Sequence, residues 1–167
     1  MRIVVCDTGP VLHLREAGVL DVLQHAGEVI IPAAVDDELA RLVDDWAPAR
    51  PAWLQRRAAD PGGATPPTVH QLVTGLGAGE TEAILLAREL DADWLLTDDA
   101  EARIIAGLAG LEVHGSLGVL LWAAAQRHLD HTAAAVALTR LAESSLWLSP
   151  AVLAEARAAL RKLSQES

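Results

Sequence analysis

Several carboxylate side chains follow short apolar runs of the chain, at the points where strands of a sheet would end. Asp7 comes directly after the run at residues 1–6. Asp98 and Asp99 come at the end of the run at residues 93–97. Ligand sites of open parallel sheets lie at the carboxyl ends of the strands, so neighbouring strands would bring these three acids together at one edge. The pattern predicts an acidic site there.

Two glutamates could project to the same edge. Glu38 lies about two turns into the helix predicted after the second strand, and Glu80 opens the helix predicted at residues 80–90. Carboxylates gathered so closely repel one another and raise their own pKa values unless a hard cation lies between them. Magnesium or manganese is the natural occupant of such an oxygen-donor site. The candidate metal ligands are therefore Asp7, Glu38, Glu80, Asp98 and Asp99.

Each of these acids also has a structural alternative. Asp7 could accept hydrogen bonds from the backbone of the turn that follows it. Glu38 could be an exposed helical acid, since its neighbours Asp36 and Asp37 look solvated. These alternatives stay open on the sequence alone.

Helix capping is the alternative for the remaining acids. Glu80 and Glu82 lie in a first helical turn, where the helix dipole favours negative charge. Asp98 forms a capping-box pattern with Glu101, three residues later. Because that box does not explain Asp99, we favour Asp99 as the metal ligand.

The elements that would position these acids alternate between strand and helix over the first 130 residues. This alternation predicts an α/β fold with a central parallel sheet of about four strands flanked by helices, followed by extra C-terminal helices. Residues 47–67 are rich in Pro and Gly and are expected to be a long connection holding a short element near residues 53–54. Strands are predicted at residues 1–6, 28–31, 93–97 and 111–114, and C-terminal helices at residues 133–142 and 150–163.

The length of 167 residues predicts one domain. We expect an α/β unit at residues 1–128 and a helical extension at residues 129–167 packed on the same domain. The polar tail at residues 164–167 is expected to fray. The segments at residues 119–125 and 133–141 are too apolar for helices that expose one face to solvent. They therefore predict a homo-oligomer.

Composition restricts the class of protein. The net charge of −10 argues against a nucleic-acid ligand, unless cations held by clustered acids cancel part of that charge and bridge to phosphate. The longest apolar run, at residues 117–125, is well short of the roughly 20 residues that cross a bilayer. No signal-peptide core is recognisable, so no membrane association and a cytoplasmic location are expected. Cys6, the one cysteine, is expected to be buried in a strand.

Other motifs that could carry chemistry are weaker. Gly75, Gly77 and Gly79 follow no strand, and Glu80 takes the place of the last glycine of a dinucleotide-binding loop. The six histidines show no zinc-type spacing, and we expect them to be structural or solvated. The five tryptophans lie mostly among apolar neighbours, which favours core packing over stacking on nucleic-acid bases.

Four residues are candidates for contact with a substrate. Thr8 adjoins Asp7, Arg103 follows Asp99 by one helical turn, and Arg41 lies three residues beyond Glu38. Ion pairing with these acids is the alternative for both arginines. Ser116 is a candidate helix N-cap that could also meet a phosphate or a metal-bound water.

The chain contains four motifs in order: Asp7-Thr8-Gly9-Pro10, Glu38-Leu39, Gly77-Ala78-Gly79-Glu80 and Leu95-Leu96-Thr97-Asp98-Asp99. Together they resemble the ordered motifs of PIN-domain proteins. The segment at residues 115–121 further resembles one poorly characterised, toxin-like branch of that family. The separation of Glu80 and Asp99 along the sequence also matches the separation of the family's third and fourth acids. The family more often has Asp at the position of Glu80.

The resemblance implies a metal-dependent endoribonuclease, often the toxin of a toxin-antitoxin pair. It carries metal binding and catalysis onto Asp7, Glu38, Glu80 and Asp99, with Asp98 as a helper. RNA would be the substrate, and an antitoxin protein the partner. The alternative is a PIN-like binding module that is catalytically weak or inactive and acts through a protein partner.

Overall fold

The computed structural model describes residues 1–166, and its centre is a parallel β-sheet. Five strands pair in the order β3-β2-β1-β4-β5, and every pairing is parallel. This confirms the predicted α/β class with helices around the sheet. The strands are β1 (Ile3–Cys6), β2 (Glu28–Pro32), β3 (Leu54–Arg57), β4 (Trp94–Leu96) and β5 (Val113–His114).

Nine α-helices were identified in residues 1–166, together with a 3-10 helix at Leu20–His25. The predicted helices are present, with their ends shifted by a few residues, and the short helices α3 and α4 were not predicted. The α-helices are α1 (Thr8–Glu16), α2 (Ala33–Leu42), α3 (Trp46–Ala49), α4 (Pro67–Leu72), α5 (Ala78–Glu89), α6 (Ala100–Leu108), α7 (Ser116–Ala125), α8 (His131–Glu143) and α9 (Pro150–Gln165).

Strand β1 lies at the middle of the sheet, and its side chains are buried on both faces. Val4, Val5 and Cys6 have no exposed surface, as expected for a strand covered by helices on both sides. Cys6 pairs with Leu96 of β4, so the chain leaves both strands at the same edge. This register brings Asp7 next to Thr97.

The fifth strand, β3, was not predicted as a strand. It is an edge strand in which Leu54 is buried while Gln55, Arg56 and Arg57 are exposed, so its sequence lacks an apolar run. Its identity depends on backbone pairing with β2, where Ile31 is the partner of Arg56. Only the short element expected near residues 53–54 gave a local indication of it.

Asp36 is buried, which corrects the expectation that it is solvated. Its carboxylate accepts hydrogen bonds from Trp46 Nε1 at 2.8 Å and from Arg50 and Arg56 at 2.7 Å each. These bonds tie α2 to α3 and to the edge strand β3. Asp37, beside it, is exposed as expected and forms a salt bridge with Arg56.

Helices α7, α8 and α9 pack together against α1 and form their own hydrophobic cluster, which includes Leu120, Leu138, Leu141 and Leu160. Most of the large apolar residues of α7 and α8 are therefore buried or partly buried within one chain, although Val136 of α8 is 46% exposed. Because this packing explains their apolar character, the homo-oligomer stays a prediction that rests on no contact described here. The division at residues 128 and 129 also stays a prediction.

The C-terminal helix ends later than expected. Helix α9 continues through Gln165, where fraying was predicted from residue 164, and the last residue of that tail, Ser167, lies outside the described residues. Among residues 1–166, no helix is long and apolar enough to cross a membrane.

Four of the five tryptophans pack in or against the core, as expected: Trp46, Trp53, Trp94 and Trp122. Trp147 is different, because 80% of its surface is exposed.

Candidate active site

Asp7 is the most buried acid at the carboxyl edge of the sheet. It caps the N-terminus of α1, and its Oδ1 accepts a 2.8 Å hydrogen bond from the backbone N–H of Thr8. Its Oδ2 accepts a 2.8 Å hydrogen bond from the hydroxyl group of Thr97. Only 4% of Asp7 is exposed, and within the described chain it forms no salt bridge. The turn-bonding alternative for Asp7 is therefore present in the structure.

Burial raises the pKa of the Asp7 carboxyl to about 6. The hydrogen bonds from Thr8 and Thr97 act in the opposite direction, and the nearby carboxylates of Glu80 and Glu38 raise the pKa further. A buried carboxylate that also faces two other acids is stabilised in its charged form by a cation. The acid repulsion expected from the sequence is therefore present at Asp7.

Glu38 reaches the same place from α2. The hydroxyl group of Thr8 donates a 2.7 Å hydrogen bond to Glu38 Oε2, so one residue contacts both acids. Gly79, the second residue of α5, is buried beside them. A methyl group at Gly79 would lie 3.1 Å from Glu38 Oε2 and 3.6 Å from Asp7 Oδ1. The absence of a side chain at Gly79 lets the two carboxylates approach each other.

The two acids near the start of α5 have different roles, and because the helix begins at Ala78, only Glu80 lies in its first turn, whereas both were expected there. Glu80 curls back over the start of its helix, where a methyl group at Gly77 would overlap Glu80 Oε2. Glu82 faces away from the cleft and accepts hydrogen bonds from the backbone N–H groups of Ala34 at 2.8 Å and Ala59 at 3.1 Å. Glu82 thus caps α2 rather than its own helix.

Asp98 is held by three donors. His13 Nδ1 lies 2.7 Å from Asp98 Oδ2, the Ser116 hydroxyl group donates to Oδ2 at 2.5 Å, and the Ser116 backbone N–H donates to Oδ1 at 2.7 Å. Burial alone would raise the pKa of Asp98, but the hydrogen bonds from His13 and Ser116 hold it below its ordinary value. Asp98 therefore joins α1 to the start of α7.

Asp99, and not Asp98, caps helix α6. Asp99 is the N-cap of α6, and its Oδ2 accepts a 2.7 Å hydrogen bond from the backbone N–H of Ala102. The prediction that Asp98 forms a capping box with Glu101 is therefore wrong, because the helix begins one residue later than the box requires. Asp99 remains exposed, so its predicted role as a metal ligand is compatible with the cap but is not tested by it.

All five acids line one open cleft of about 320 Å³. Its other walls come from α1, from Leu42 of α2 and from the loop between α8 and α9. The lining residues of this acidic cleft are Asp7, Thr8, Gly9, Leu12, His13, Glu38, Leu42, Glu80, Asp98, Asp99, Ser145, Leu146 and Trp147.

The donor chemistry of the cleft fits a hard divalent cation. Asp7, Glu38 and Glu80 supply carboxylate oxygens, and Asp7 is buried without a cationic partner within residues 1–166. In the described conformation, however, no three His, Cys, Asp or Glu side chains of residues 1–166 converge closely enough to hold a metal ion. In that conformation, one carboxylate oxygen of Asp7 and one of Asp99 accept hydrogen bonds from backbone N–H groups.

The predicted substrate-binding residues are not gathered in one place. Thr8 lines the cleft, but its hydroxyl group is engaged by Glu38. Ser116 is fully buried, and its hydroxyl group is engaged by Asp98. It is the first residue of α7, and Gly115 takes the N-cap position expected for it. Arg103 lines an adjoining groove.

Arg41 is exposed on α2 and does not line the acidic cleft. Within residues 1–166, neither Arg41 nor Arg103 forms a salt bridge, so the ion-pair alternative for these arginines is not observed.

Two residues of the cleft were missed from the sequence. His13 was expected to be structural or solvated, yet it contacts Asp98 inside the cleft. Trp147 was expected to pack in the core, yet it lies at the mouth of the cleft. His13 has no local signal, because it meets its partner across 85 residues of chain. For Trp147, the polar residues Ser144, Ser145 and Ser149 around it were the available hint of a surface loop.

A parallel α/β sheet with acids gathered at its carboxyl edge defines the class of protein to which this chain belongs. Residues 3–162 match the family model DUF3368, which is described as a PIN domain. The chain therefore belongs to the PIN-domain family. PIN domains are generally nucleases, and they typically use divalent metal ions. A comparison with curated proteins found no match.

Proposed function

We propose that this protein is a metal-dependent endoribonuclease that acts as the toxin of a toxin-antitoxin pair in the cytoplasm. The observation that carries the proposal is the burial of Asp7 against Glu38 and Glu80 without a basic partner in residues 1–166. That arrangement is unfavourable for an empty site and favourable for one that binds a cation. Membership of a family of nucleases supports hydrolysis of a phosphodiester bond.

The residues that would hold magnesium or manganese are Asp7, Glu38, Glu80 and Asp99, with Asp98 as a helper. A bound divalent cation supplies activation of the attacking water and stabilisation of the leaving oxygen. Since Glu82 and Asp36 are engaged in structural hydrogen bonds outside the cleft, they are not part of this set.

Hydroxyl groups, a backbone N–H group and an imidazole beside the cleft orient these acids. Thr97 and Thr8 hold the two oxygens of Asp7, and the Thr8 hydroxyl group also holds Glu38. His13 and Ser116 orient Asp98. Acids held by such contacts lose little conformational freedom when a ligand binds, which favours binding.

The test is cleavage of single-stranded RNA by the purified chain. We expect cleavage with magnesium or manganese and none in excess EDTA. Glu38→Gln, which keeps the shape of the side chain and removes its charge, should abolish cleavage, whereas Arg41→Gln should cleave less well only if that arginine contacts RNA. Full activity in excess EDTA would overturn the proposal.

A second candidate function is a binding module that acts through a protein partner without catalysis. It is favoured by the described conformation of Asp7 and Asp99, whose carboxylates accept backbone hydrogen bonds. Absence of RNA cleavage with every divalent metal, together with recovery of a stable protein complex, would support it over the nuclease.

The expected antitoxin and homo-oligomer belong to the same proposal. Co-expression with the neighbouring gene should yield a stable complex in which RNA cleavage is suppressed. Light scattering of the isolated protein at high concentration would measure its oligomeric state. A monomer would contradict the predicted homo-oligomer but not the ribonuclease.

A further inference from the structure

Trp147 is a large apolar side chain that the described chain leaves uncovered. It is 80% exposed, whereas its neighbours Leu146 and Leu148 pack against the cluster formed by α7, α8 and α9. A fully exposed indole loses the free energy that burial of so large an apolar surface provides. The chain therefore presents this ring to solvent between two anchored residues.

The loop that carries Trp147 is tied at both ends. On one side the Ser145 hydroxyl group donates a 2.6 Å hydrogen bond to Glu16 Oε1, and the Ser144 hydroxyl group donates to Leu141 O at 2.6 Å. On the other side Ser149 caps α9 by accepting a hydrogen bond from the Val152 N–H at 3.1 Å. These bonds hold the backbone on both sides of Trp147 before any ligand binds, which lowers the entropic cost of ordering the loop on binding.

The position of Trp147 connects two depressions of the surface. It lines the acidic cleft, and it also lines an adjoining groove of about 380 Å³ that contains Arg103 and His114. Asp98 and Leu146 are shared by both depressions as well. A linear ligand that passes from the acids towards Arg103 would cross the indole.

The charge of the site restricts how it can hold RNA. The acidic cleft is lined by five acids, and its lining residues include no Lys or Arg. Contacts between phosphates and basic side chains usually supply most of the affinity for nucleic acid. Stacking of a base on an aromatic ring does not depend on such charges, and every base offers a face for it.

We propose that Trp147 is a stacking platform for one base of a single-stranded RNA, next to the phosphate that is cleaved in the acidic cleft, while Arg103 contacts the backbone of the strand in the adjoining groove. This inference rests on the proposed ribonuclease function and adds a residue that positions the substrate. Double-stranded RNA is excluded by the same geometry, because its bases are already stacked on one another and cannot lie on the indole.

The test combines variants of the protein with variants of the RNA. Trp147→Ala is compared with Trp147→Phe, which keeps an aromatic ring, and with Leu108→Ala, which shortens another largely exposed apolar side chain, on α6 and away from the cleft. Each is assayed with one single-stranded RNA and with a set of otherwise identical RNAs that carry one abasic nucleotide at successive positions around the cleavage point. Cleavage is measured as kcat/KM, and binding is measured separately by fluorescence anisotropy.

We expect Trp147→Ala to weaken binding of the intact RNA by about 5- to 150-fold and to lower kcat/KM to a similar extent. Trp147→Phe should recover most of both losses, and Leu108→Ala should equal the parent. With the RNA that is abasic at the stacked position, the parent and Trp147→Ala should bind and cleave equally. A structural role of Trp147 would not produce that dependence on one nucleotide.

The outcomes separate this inference from the proposed function. If the parent cleaves RNA and Trp147→Ala does so equally well, the stacking platform is wrong and the ribonuclease stands. If the parent binds RNA through Trp147 without cleaving it, the platform stands and the ribonuclease is wrong. If Trp147→Ala loses a protein partner but binds every RNA as the parent does, the indole is a protein contact and the platform is overturned.

Discussion

The Thr97 hydroxyl group donates a 2.8 Å hydrogen bond to Asp7 Oδ2, and this bond joins the carboxyl ends of the adjacent strands β1 and β4. The second oxygen of the carboxylate is held by the backbone N–H of Thr8. Asp7 is therefore oriented by the sheet itself. Burial and the nearby Glu80 and Glu38 disfavour its charged form. The same side chain is therefore held in one orientation and destabilised as a carboxylate.

Replacement of Asp7 by Asn should raise the metal-free stability and abolish activity. The pKa of Asp7 is raised in the folded state from 3.8 to about 6, so the folded protein binds the proton more tightly than the unfolded chain does. In EDTA, the ionisation of Asp7 should lower the unfolding free energy of the parent, relative to Asp7→Asn, by about 1 to 3 kcal/mol as the pH rises from about 4 to 6. Asp7→Asn should lack that loss and keep the cap of α1.

Urea unfolding in EDTA from pH 4 to pH 8 would measure this difference, and Asp37→Asn, at an exposed acid outside the cleft, is the matched control. An Asp7→Asn protein that is less stable than its parent at pH 7.5 without metal would contradict the predicted repulsion.

The adjacent residues Asp98 and Asp99 should respond differently to substitution. Asp99→Ala removes the cap of α6 and should cost about 0.5 to 2 kcal/mol, whereas Asp99→Asn should preserve the cap. Asp98→Ala leaves the buried N–H group of Ser116 without its partner and should cost about 1 to 3 kcal/mol. Thermal melts in EDTA would measure these effects.

The same variants test the metal site when RNA cleavage is assayed in parallel. Asp99→Asn keeps the cap but loses one negative charge in the cleft, so its activity should collapse while its stability stays near that of the parent. Cleavage by Asp99→Asn at the parental rate would show that Asp99 serves α6 alone.

Gly79→Ala should reduce activity without reducing stability by much. The new methyl group would lie 3.1 Å from Glu38 Oε2, so Glu38 must shift, while alanine in a helix is favoured over glycine by up to about 1 kcal/mol. We expect a loss of activity on the order of 10- to 100-fold, because small displacements of aligned groups have effects of that size.

Gly107→Ala is the matched control for this variant, since it makes the same change in α6 with no neighbouring atom within 4 Å. It should gain stability and keep the parental rate. If both variants cleave RNA equally well, Gly79 does not control the approach of Glu38 to Asp7.

Asp36→Ala should destabilise the protein although it lies outside the cleft. The substitution leaves the buried Trp46 Nε1 without an acceptor and frees Arg50 and Arg56, so we expect a loss of about 1 to 3 kcal/mol. Asp37→Ala, at the exposed neighbour, should change stability by at most about 0.5 kcal/mol. Urea unfolding of the two variants would measure the difference, and equal values would contradict the bridging role of Asp36.

The sequence alone was sufficient to predict the alternation of strands and helices and the position of the acids. Both depend on patterns that are local along the chain: a buried strand such as β1 needs consecutive apolar residues, and the acid that follows it must lie at the edge of the sheet. Asp7 and Asp98 were placed there for this reason. The ordered motifs also sufficed to suggest the PIN-domain family.

The tertiary structure decided every feature that depends on a distant partner. The polar strand β3 exists because β2 pairs with it, and Asp36 is buried because Arg56 of β3 reaches it. The cap of α6 moved to Asp99 because Asp98 is engaged by His13 and Ser116 from other helices. Trp147 is exposed because its loop is anchored to α1 and α9. The local sequence, a tryptophan between two leucines, predicts a buried side chain. Only the packing of its neighbours leaves Trp147 facing the cleft.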